Sequence, residues 1–192
     1  MNADEVVREI TRRSWRFGVA VLLSPERHID SDGHPSGGHF DEDGKILAVA
    51  TGRLQDTWLG TLLHEYSHLT QWVEGQPAWS LYRDEMWDWI DGKAIRNPRE
   101  AVKTVQAVEE DCERRAVRLI KELDAPIDVQ KYARGANAYL HFHNTRAERR
   151  KWMRPDVIMM ERPELLALCN PTIDAKFDKT PPLLRAALLD CI

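Results

Sequence analysis

The chain has 192 residues, of which 43% are hydrophobic and 30% charged, and its formal net charge is -4. This composition is typical of a folded globular protein and excludes long disordered or fibrous segments. The acidic balance gives no general attraction to nucleic acid, and no apolar run approaches the ~18 residues that span a bilayer. We therefore expect a single domain over residues 1–192, with neither nucleic acid nor a membrane as a partner.

The cysteines and the N-terminus bear on the cellular compartment. Three cysteines are present, and they are widely spaced: Cys112, Cys169 and Cys191. Few, widely spaced cysteines favour a reducing compartment, and the polar residues 1–5 are not followed by the apolar stretch of a signal peptide. We expect a cytoplasmic protein. Because no Cys-x-x-Cys pair is present, the sequence argues against a cysteine-based zinc site.

The N-terminal quarter of the chain predicts one helix and two strands. Apolar residues at helical spacing predict a helix over residues 3–16. The apolar run over residues 19–23 predicts a short buried strand, and the run over residues 45–51 predicts a second strand. Between them lies a polar segment rich in glycine, aspartate and histidine, which predicts a loop.

A longer helix follows the second strand. Asp56 or Thr57 is predicted as its N-cap, and Gly75 supplies the stop after about residue 74. Its buried face is predicted from four residues at helical spacing: Leu62, Tyr66, Leu69 and Val73.

The remainder of the chain is predicted to be helical. Asn97 is a good N-cap, and Pro98 and Glu100 follow it in the order of a capping box, so a helix is predicted from here to about residue 123. Further helices are predicted over residues 79–89, 127–151 and 183–189. These elements favour an α+β fold in which a small, partly antiparallel sheet lies beside several helices.

His64, Glu65 and His68 form a His-Glu-x-x-His motif in the helix before Gly75. Two histidines four residues apart project from one face of a helix, and two imidazoles in this relation can bind one Zn²⁺. Glu65 lies about 100° around the helix from His64, where it can reach a metal-bound water without ligating the metal. Such a carboxylate takes the proton as the water attacks a carbonyl group. The motif therefore predicts a zinc centre with Glu65 as the catalytic residue.

A catalytic zinc centre usually has a third protein ligand, and Glu109 is the preferred candidate. Glu109 fills a slot in an apolar helical stripe, between Val105 and Cys112. A carboxylate that faces a core needs a partner such as a metal ion, whereas a solvated position at the rim of the protein is the alternative. Glu113, one turn later, is predicted to hydrogen-bond one of the two histidines.

Other residues remain candidates near this centre. Glu110, Glu113 and His143 are alternatives to Glu109 as the third ligand. Tyr139 shares a helix face with His143, and a hydroxyl or imidazole donor there would suit stabilisation of an oxyanion. Packing of both side chains in the core is the alternative interpretation.

The order of these residues along the chain resembles that in the gluzincin branch of the zincin metallopeptidases. The helix-borne Glu109 is similar to that of thermolysin and of the small bacterial ImmA/IrrE-type peptidases. In the latter, a Glu opens a stretch of the form Glu-x-x-Ala-x-x-x-Ala-x-x-Leu-Leu. Residues 109–120 of this chain, Glu-x-x-Cys-x-x-x-Ala-x-x-Leu-Ile, look like that pattern. The chain also resembles small His-Glu-x-x-His proteins carried by phages and prophages, and the resemblance covers residues 45–123.

The resemblance implies a zincin-like fold, bound Zn²⁺ and hydrolysis of an internal peptide bond in a protein or peptide substrate. It also implies that the strand over residues 46–51 binds the substrate backbone by strand addition. For a phage-encoded protein the compartment would be the host cytoplasm. The chain departs from thermolysin-like enzymes at Glu113, where those enzymes carry Asp.

A hypothesis from another class is a non-catalytic zinc-binding zincin domain that serves as an interaction module in a phage or host assembly. Glu65 favours the enzyme, since a purely structural metal site has no use for a general base.

Overall fold

The computed structural model describes residues 1–31, 33–77, 79, 88–89 and 91–192. These residues divide into two compact units, one formed by Met1–Gly75 and Cys112–Val129 and the other by Gln76–Asp111 and Gln130–Ile192. Most of the helix predicted over residues 79–89 lies outside the described residues.

The first unit contains a three-stranded mixed sheet and a two-stranded hairpin. The sheet consists of β1 (Ala20–Ser24), β4 (Gly38–Asp41) and β5 (Ile46–Ala50), and the hairpin of β2 (Ile29–Ser31) and β3 (His34–Ser36). The strand order of the sheet is β1-β5-β4, with β5 parallel to β1 and antiparallel to β4. The sheet is therefore partly antiparallel, as expected, and β5 is its central strand.

This order corrects two of the expectations. Because β5 is hydrogen-bonded on both sides, it cannot bind a substrate by strand addition, as the resemblance implied for residues 46–51. The strand predicted over residues 19–23 is present as β1, but it is not buried. Leu22 and Leu23 point to opposite faces of the sheet and are 51% and 41% exposed, so neither face is fully covered at this edge strand.

The polar segment after β1 was expected to be a loop, but it forms β2, β3 and β4. These strands have only three or four residues each and contain Gly, Asp and Pro, which are depleted in strands. Their sequences therefore carry little strand signal.

Helices α1 (Ala3–Trp15) and α2 (Gln55–Val73) pack against this sheet and against each other. Asn2 caps α1 in a capping box with Glu5. The N-cap of α2 is Leu54, whose side chain makes no capping hydrogen bond, so the predicted cap at Asp56 or Thr57 is wrong. The helix ends at Val73.

Gly75 lies just beyond α2 with φ of 64°, in the left-handed region that glycine adopts without steric cost. The predicted helix stop is confirmed.

Helix α3 (Pro98–Glu122) begins directly after Asn97, as predicted, and the boundary between the two units falls within it. Its residues from Cys112 onward belong to the first unit. There Arg115 pairs with Glu74 at the end of α2, with nitrogen–oxygen distances of 2.8 and 2.7 Å. This bidentate ion pair ties the second half of α3 to the end of α2.

The second unit is built around α4 (Val129–Arg149), with α5 (Pro163–Leu166) and α6 (Pro182–Leu189) from the C-terminal segment. A single 3₁₀ turn spans Met159–Glu161. The buried cluster of this unit includes Phe142, Leu165, Leu184 and Leu188.

The described part of the chain thus has an α+β fold in which a small mixed sheet packs against helices. None of its helices has the length and apolar character that crossing a bilayer requires.

Candidate metal centre

His64 and His68 lie on the inward side of α2, with His68 only 6% exposed. Their Nε2 atoms are 3.1 Å apart, and the two rings are perpendicular to each other. Zinc–imidazole bonds of about 2.0–2.1 Å would meet at about 100° across this gap, near the tetrahedral angle. The two nitrogens are therefore spaced to hold one ion.

Nδ1 of His68 faces a buried amide. It lies 2.9 Å from Oε1 of Gln71, and Gln71 itself is fully buried. An amide oxygen only accepts hydrogen bonds, so Nδ1 donates and carries the proton. In the neutral ring this leaves the lone pair on Nε2, toward His64.

Nδ1 of His64 faces residues of α3 that belong to the same unit. It lies 3.2 Å from Oε1 of Glu113 and 3.5 Å from Sγ of Cys112. Glu113 is only 5% exposed. Cys112 also donates its thiol hydrogen to the carbonyl oxygen of His64, at 3.1 Å. A carboxylate at Nδ1 is the arrangement by which proteins orient a metal-binding imidazole.

These contacts direct both Nε2 atoms at the same space. When each Nδ1 donates, neither neutral ring has a proton on Nε2, and the two lone pairs face each other across 3.1 Å. Such lone pairs repel unless a cation lies between them, either a proton or a metal ion. The donor chemistry fits Zn²⁺, which takes neutral imidazole nitrogens.

The electrostatics of His64 agree with this geometry. Burial alone would lower the pKa of His64, but its interactions with Cys112 and Glu113 outweigh this effect and raise the pKa well above its ordinary value. The surroundings of the ring therefore favour positive charge at this position.

Cys112 completes a group that the sequence did not predict. His64, His68 and Cys112 each place one ligand atom within 4.8 Å of the others, and in the described residues these three form a group that could hold a metal ion. The expectation that no cysteine takes part rested on the absence of a Cys-x-x-Cys pair. The sequence did carry one signal for Cys112: it lies in the same apolar stripe as Glu109 and one residue before Glu113.

Glu65 is buried, with 7% of its surface exposed, and packs beneath β4. A Cβ added to Gly38 of β4 would lie 3.0 Å from Cγ of Glu65 and 2.7 Å from Cγ2 of Thr61. The strand therefore approaches α2 this closely only because residue 38 is glycine. This contact restricts where the Glu65 carboxylate can lie.

Glu109 lies in the second unit with two other predicted residues. It is 1% exposed, and the hydroxyl of Tyr139 donates to its Oε1 at 3.4 Å. The rings of Tyr139 and His143 are in edge contact, with centroids 4.8 Å apart, and His143 is fully buried. Glu110 is half-buried. The structure thus brings Glu109, Tyr139 and His143 together.

Comparisons of this chain with protein-family models, with curated proteins and with solved structures find no match. The fold and the site define the class: an α+β protein with a His/His/Cys group that could hold a metal ion.

Proposed function

We propose that this protein is a zinc metallopeptidase that hydrolyses peptide bonds, with Glu65 as the general base. The observation that carries the proposal is the convergence of Nε2 of His64 and Nε2 of His68 at 3.1 Å, each ring oriented by an acceptor at Nδ1. Glu65 lies between these two ligands in the sequence, and a zinc centre that catalyses no reaction does not need a general base there.

His64 and His68 would hold the ion, and bound zinc supplies a water of lowered pKa and polarises the substrate carbonyl. Glu65 then accepts the proton of the attacking water and delivers it to the departing amine. Its burial beneath β4 limits competing solvent and keeps the carboxylate in place. Glu113 holds the ring of His64 through Nδ1.

Glu109 is the proposed third ligand, and its burial supports the proposal. A carboxylate that is 1% exposed needs compensation by hydrogen bonds or by a cation. Tyr139 supplies one hydrogen bond. Tyr139 is also the proposed donor to the oxyanion that forms when water attacks the carbonyl.

A protein or peptide substrate in extended conformation would bind along β4. In the sheet order β1-β5-β4, β4 is an edge strand, and it is the edge whose Gly38 contacts Glu65. An extended backbone can add to such an edge through main-chain hydrogen bonds. This places the proposed docking strand next to the proposed base.

Cys112 favours a second candidate function. Structural zinc sites, which support folding or binding and not hydrolysis, commonly have a cysteine thiolate as a ligand, here in place of the carboxylate of Glu109. In that case the domain would be a non-catalytic zinc-binding module for a protein partner. The group formed by Cys112 with the two histidines is the specific observation behind it.

Glu65→Gln separates the two candidates. The amide keeps the shape of the side chain but cannot accept a proton, so the enzyme proposal predicts that hydrolysis of casein or of a peptide library falls by about 10²–10⁴-fold. Zinc content, measured by mass spectrometry of the metal, should stay near that of the wild type.

Glu74→Gln is the matched control, because Glu74 lies at the end of the same helix, is 56% exposed in its side chain and pairs with Arg115. It should change neither activity nor zinc content. A zinc-loaded wild-type protein that hydrolyses no peptide would favour the non-catalytic module.

A further inference from the structure

We infer that Gln71 is a positioning residue of the zinc centre: its amide oxygen fixes His68 in the tautomer that directs Nε2 at the metal. The inference rests on the zinc site of the proposed function and does not require hydrolysis. Gln71 follows His68 by three residues on α2, so both side chains lie on the same side of the helix.

The contact between the two side chains is direct and shielded from water. Oε1 of Gln71 lies 2.9 Å from Nδ1 of His68, at the usual length of a nitrogen–oxygen hydrogen bond. Gln71 is 0% exposed and His68 is 6% exposed. Because water does not compete there, this acceptor determines which ring nitrogen carries the proton.

The burial of Gln71 must be compensated by hydrogen bonds, of which the one to His68 is an example. Removing an amide from water costs free energy that only hydrogen bonds return, and an apolar residue would suit a fully buried helix position better. Leu62 and Leu69 occupy such positions on the same helix at 0% exposure. The hydrogen bond to His68 gives this glutamine a role that leucine cannot fill.

The two histidines are held by different kinds of acceptor. Glu113 places a carboxylate at Nδ1 of His64, whereas Gln71 places a neutral amide at Nδ1 of His68. A neutral acceptor fixes the tautomer of His68 without adding another negative charge beside the metal. Orientation, not charge, is therefore the contribution of Gln71, and a carboxylate at the same position should also provide it.

The test is the zinc affinity of Gln71→Met and Gln71→Glu, measured by competition with a chromophoric chelator. Methionine has a similar length but only a weak acceptor, so Gln71→Met should weaken zinc binding by about 10- to 100-fold. Gln71→Glu should stay within about threefold of wild type, because the carboxylate restores the acceptor. Nitrogen-15 spectra of the imidazoles should show His68 protonated at Nδ1 in wild type and Gln71→Glu.

Gln106→Met is the matched control. Gln106 is also buried, at 7% exposure, but it donates to the carbonyl oxygen of Leu140 and to Asn144. Its substitution should lower the thermal unfolding temperature and leave zinc affinity unchanged. If Gln71→Met does not fold, Gln71→Leu takes its place, since leucine is already accepted at other buried positions of α2.

Equal zinc affinity in wild type and Gln71→Met would overturn the inference, as would equal weakening in Gln71→Met and Gln71→Glu. Wild-type protein that binds no zinc would overturn both the site and this role of Gln71. Wild-type protein that binds zinc but hydrolyses no peptide would overturn the peptidase alone, and the affinity series would still decide the role of Gln71.

Discussion

At the scale of single residues, Cys112 and Glu109 are rival candidates for the third ligand of the proposed metal centre. Sγ of Cys112 lies 3.5 Å from Nδ1 of His64, the nitrogen that Glu113 also contacts, and its thiol hydrogen bonds the carbonyl oxygen of His64. These contacts suit a thiol that supports the His64 ring. On the peptidase proposal, Glu109→Ala therefore lowers zinc content well below one equivalent, and Cys112→Ser leaves it near one.

Cobalt substitution provides the second readout, because a thiolate ligand gives Co²⁺ an intense ultraviolet charge-transfer band and a carboxylate does not. Cys169→Ser is the control: burial raises the pKa of Cys169 to about 11, so it stays a neutral thiol. A charge-transfer band in wild type that disappears in Cys112→Ser, with zinc lost at the same time, would make Cys112 the ligand and favour the non-catalytic module.

The sequence predicts some of these residues and not others for a physical reason. His64 and His68 are four residues apart on one helix, so helical geometry alone brings them together. Cys112 reaches His64 from a separate helix, and the phase between two helices depends on packing that no local pattern encodes. Glu113 on the same helix was expected beside one of the histidines and lies 3.2 Å from Nδ1 of His64. The stripe on α3 did predict a buried Glu109, which is 1% exposed.

At the scale of elements, the approach of β4 to α2 depends on one missing side chain. In Gly38→Ala the new methyl group would lie 3.0 Å from Cγ of Glu65, 2.7 Å from Cγ2 of Thr61 and 3.0 Å from the carbonyl oxygen of Ala48. We expect this overpacking to cost about 1–3 kcal/mol of stability and to displace the Glu65 carboxylate. Hydrolysis should fall by about 10²-fold while zinc content stays near that of the wild type.

Adding Thr61→Ala to Gly38→Ala separates packing from positioning. The second change removes the contact with Thr61 and leaves the contact with Glu65, so the urea midpoint should recover more than the rate of hydrolysis. Full activity in Gly38→Ala itself would show that β4 does not hold Glu65.

The elements that the sequence predicts well are those with long apolar periods. Helices α2 and α3 have 19 and 25 residues, and their predicted limits agree with the structure to within three residues. Strand β4 has four residues, Gly-His-Phe-Asp, and is held by its pairing with β5 and by contact with α2. Tertiary contacts of this kind leave no period in the sequence, so the sequence carries no signal for this strand.

At the scale of the whole molecule, stability in the second unit depends on a polar connection between α4 and the C-terminal segment. Asn137 donates to the carbonyl oxygens of Asn170 and Thr172, at 3.0 and 2.7 Å. One turn later, Nε2 of His141 lies 3.3 Å from Oδ2 of Asp174. The segment after residue 169 is thus held by side chains of one face of α4 in addition to apolar packing.

His141 makes this connection sensitive to pH. Its side chain is 2% exposed, and burial lowers the pKa of His141 below its ordinary value, although the hydrogen bond and charge of Asp174 oppose this effect. In the unfolded chain the imidazole titrates at about 6.5. Below that pH the unfolded state binds more protons than the folded state, so the free energy of unfolding decreases as the pH falls.

Urea unfolding of wild type and His141→Gln over the range from about pH 5 to pH 8 measures this contribution. We define the difference as the free energy of unfolding of wild type minus that of His141→Gln. It should be constant above about pH 6.5 and decrease as the pH falls below it, with a slope of at most about 1.4 kcal/mol per pH unit for one proton. Taking the difference removes the contribution of His64, whose raised pKa acts in the opposite direction. A difference that stays constant down to pH 5 would mean that His141 does not destabilise the fold when it is protonated.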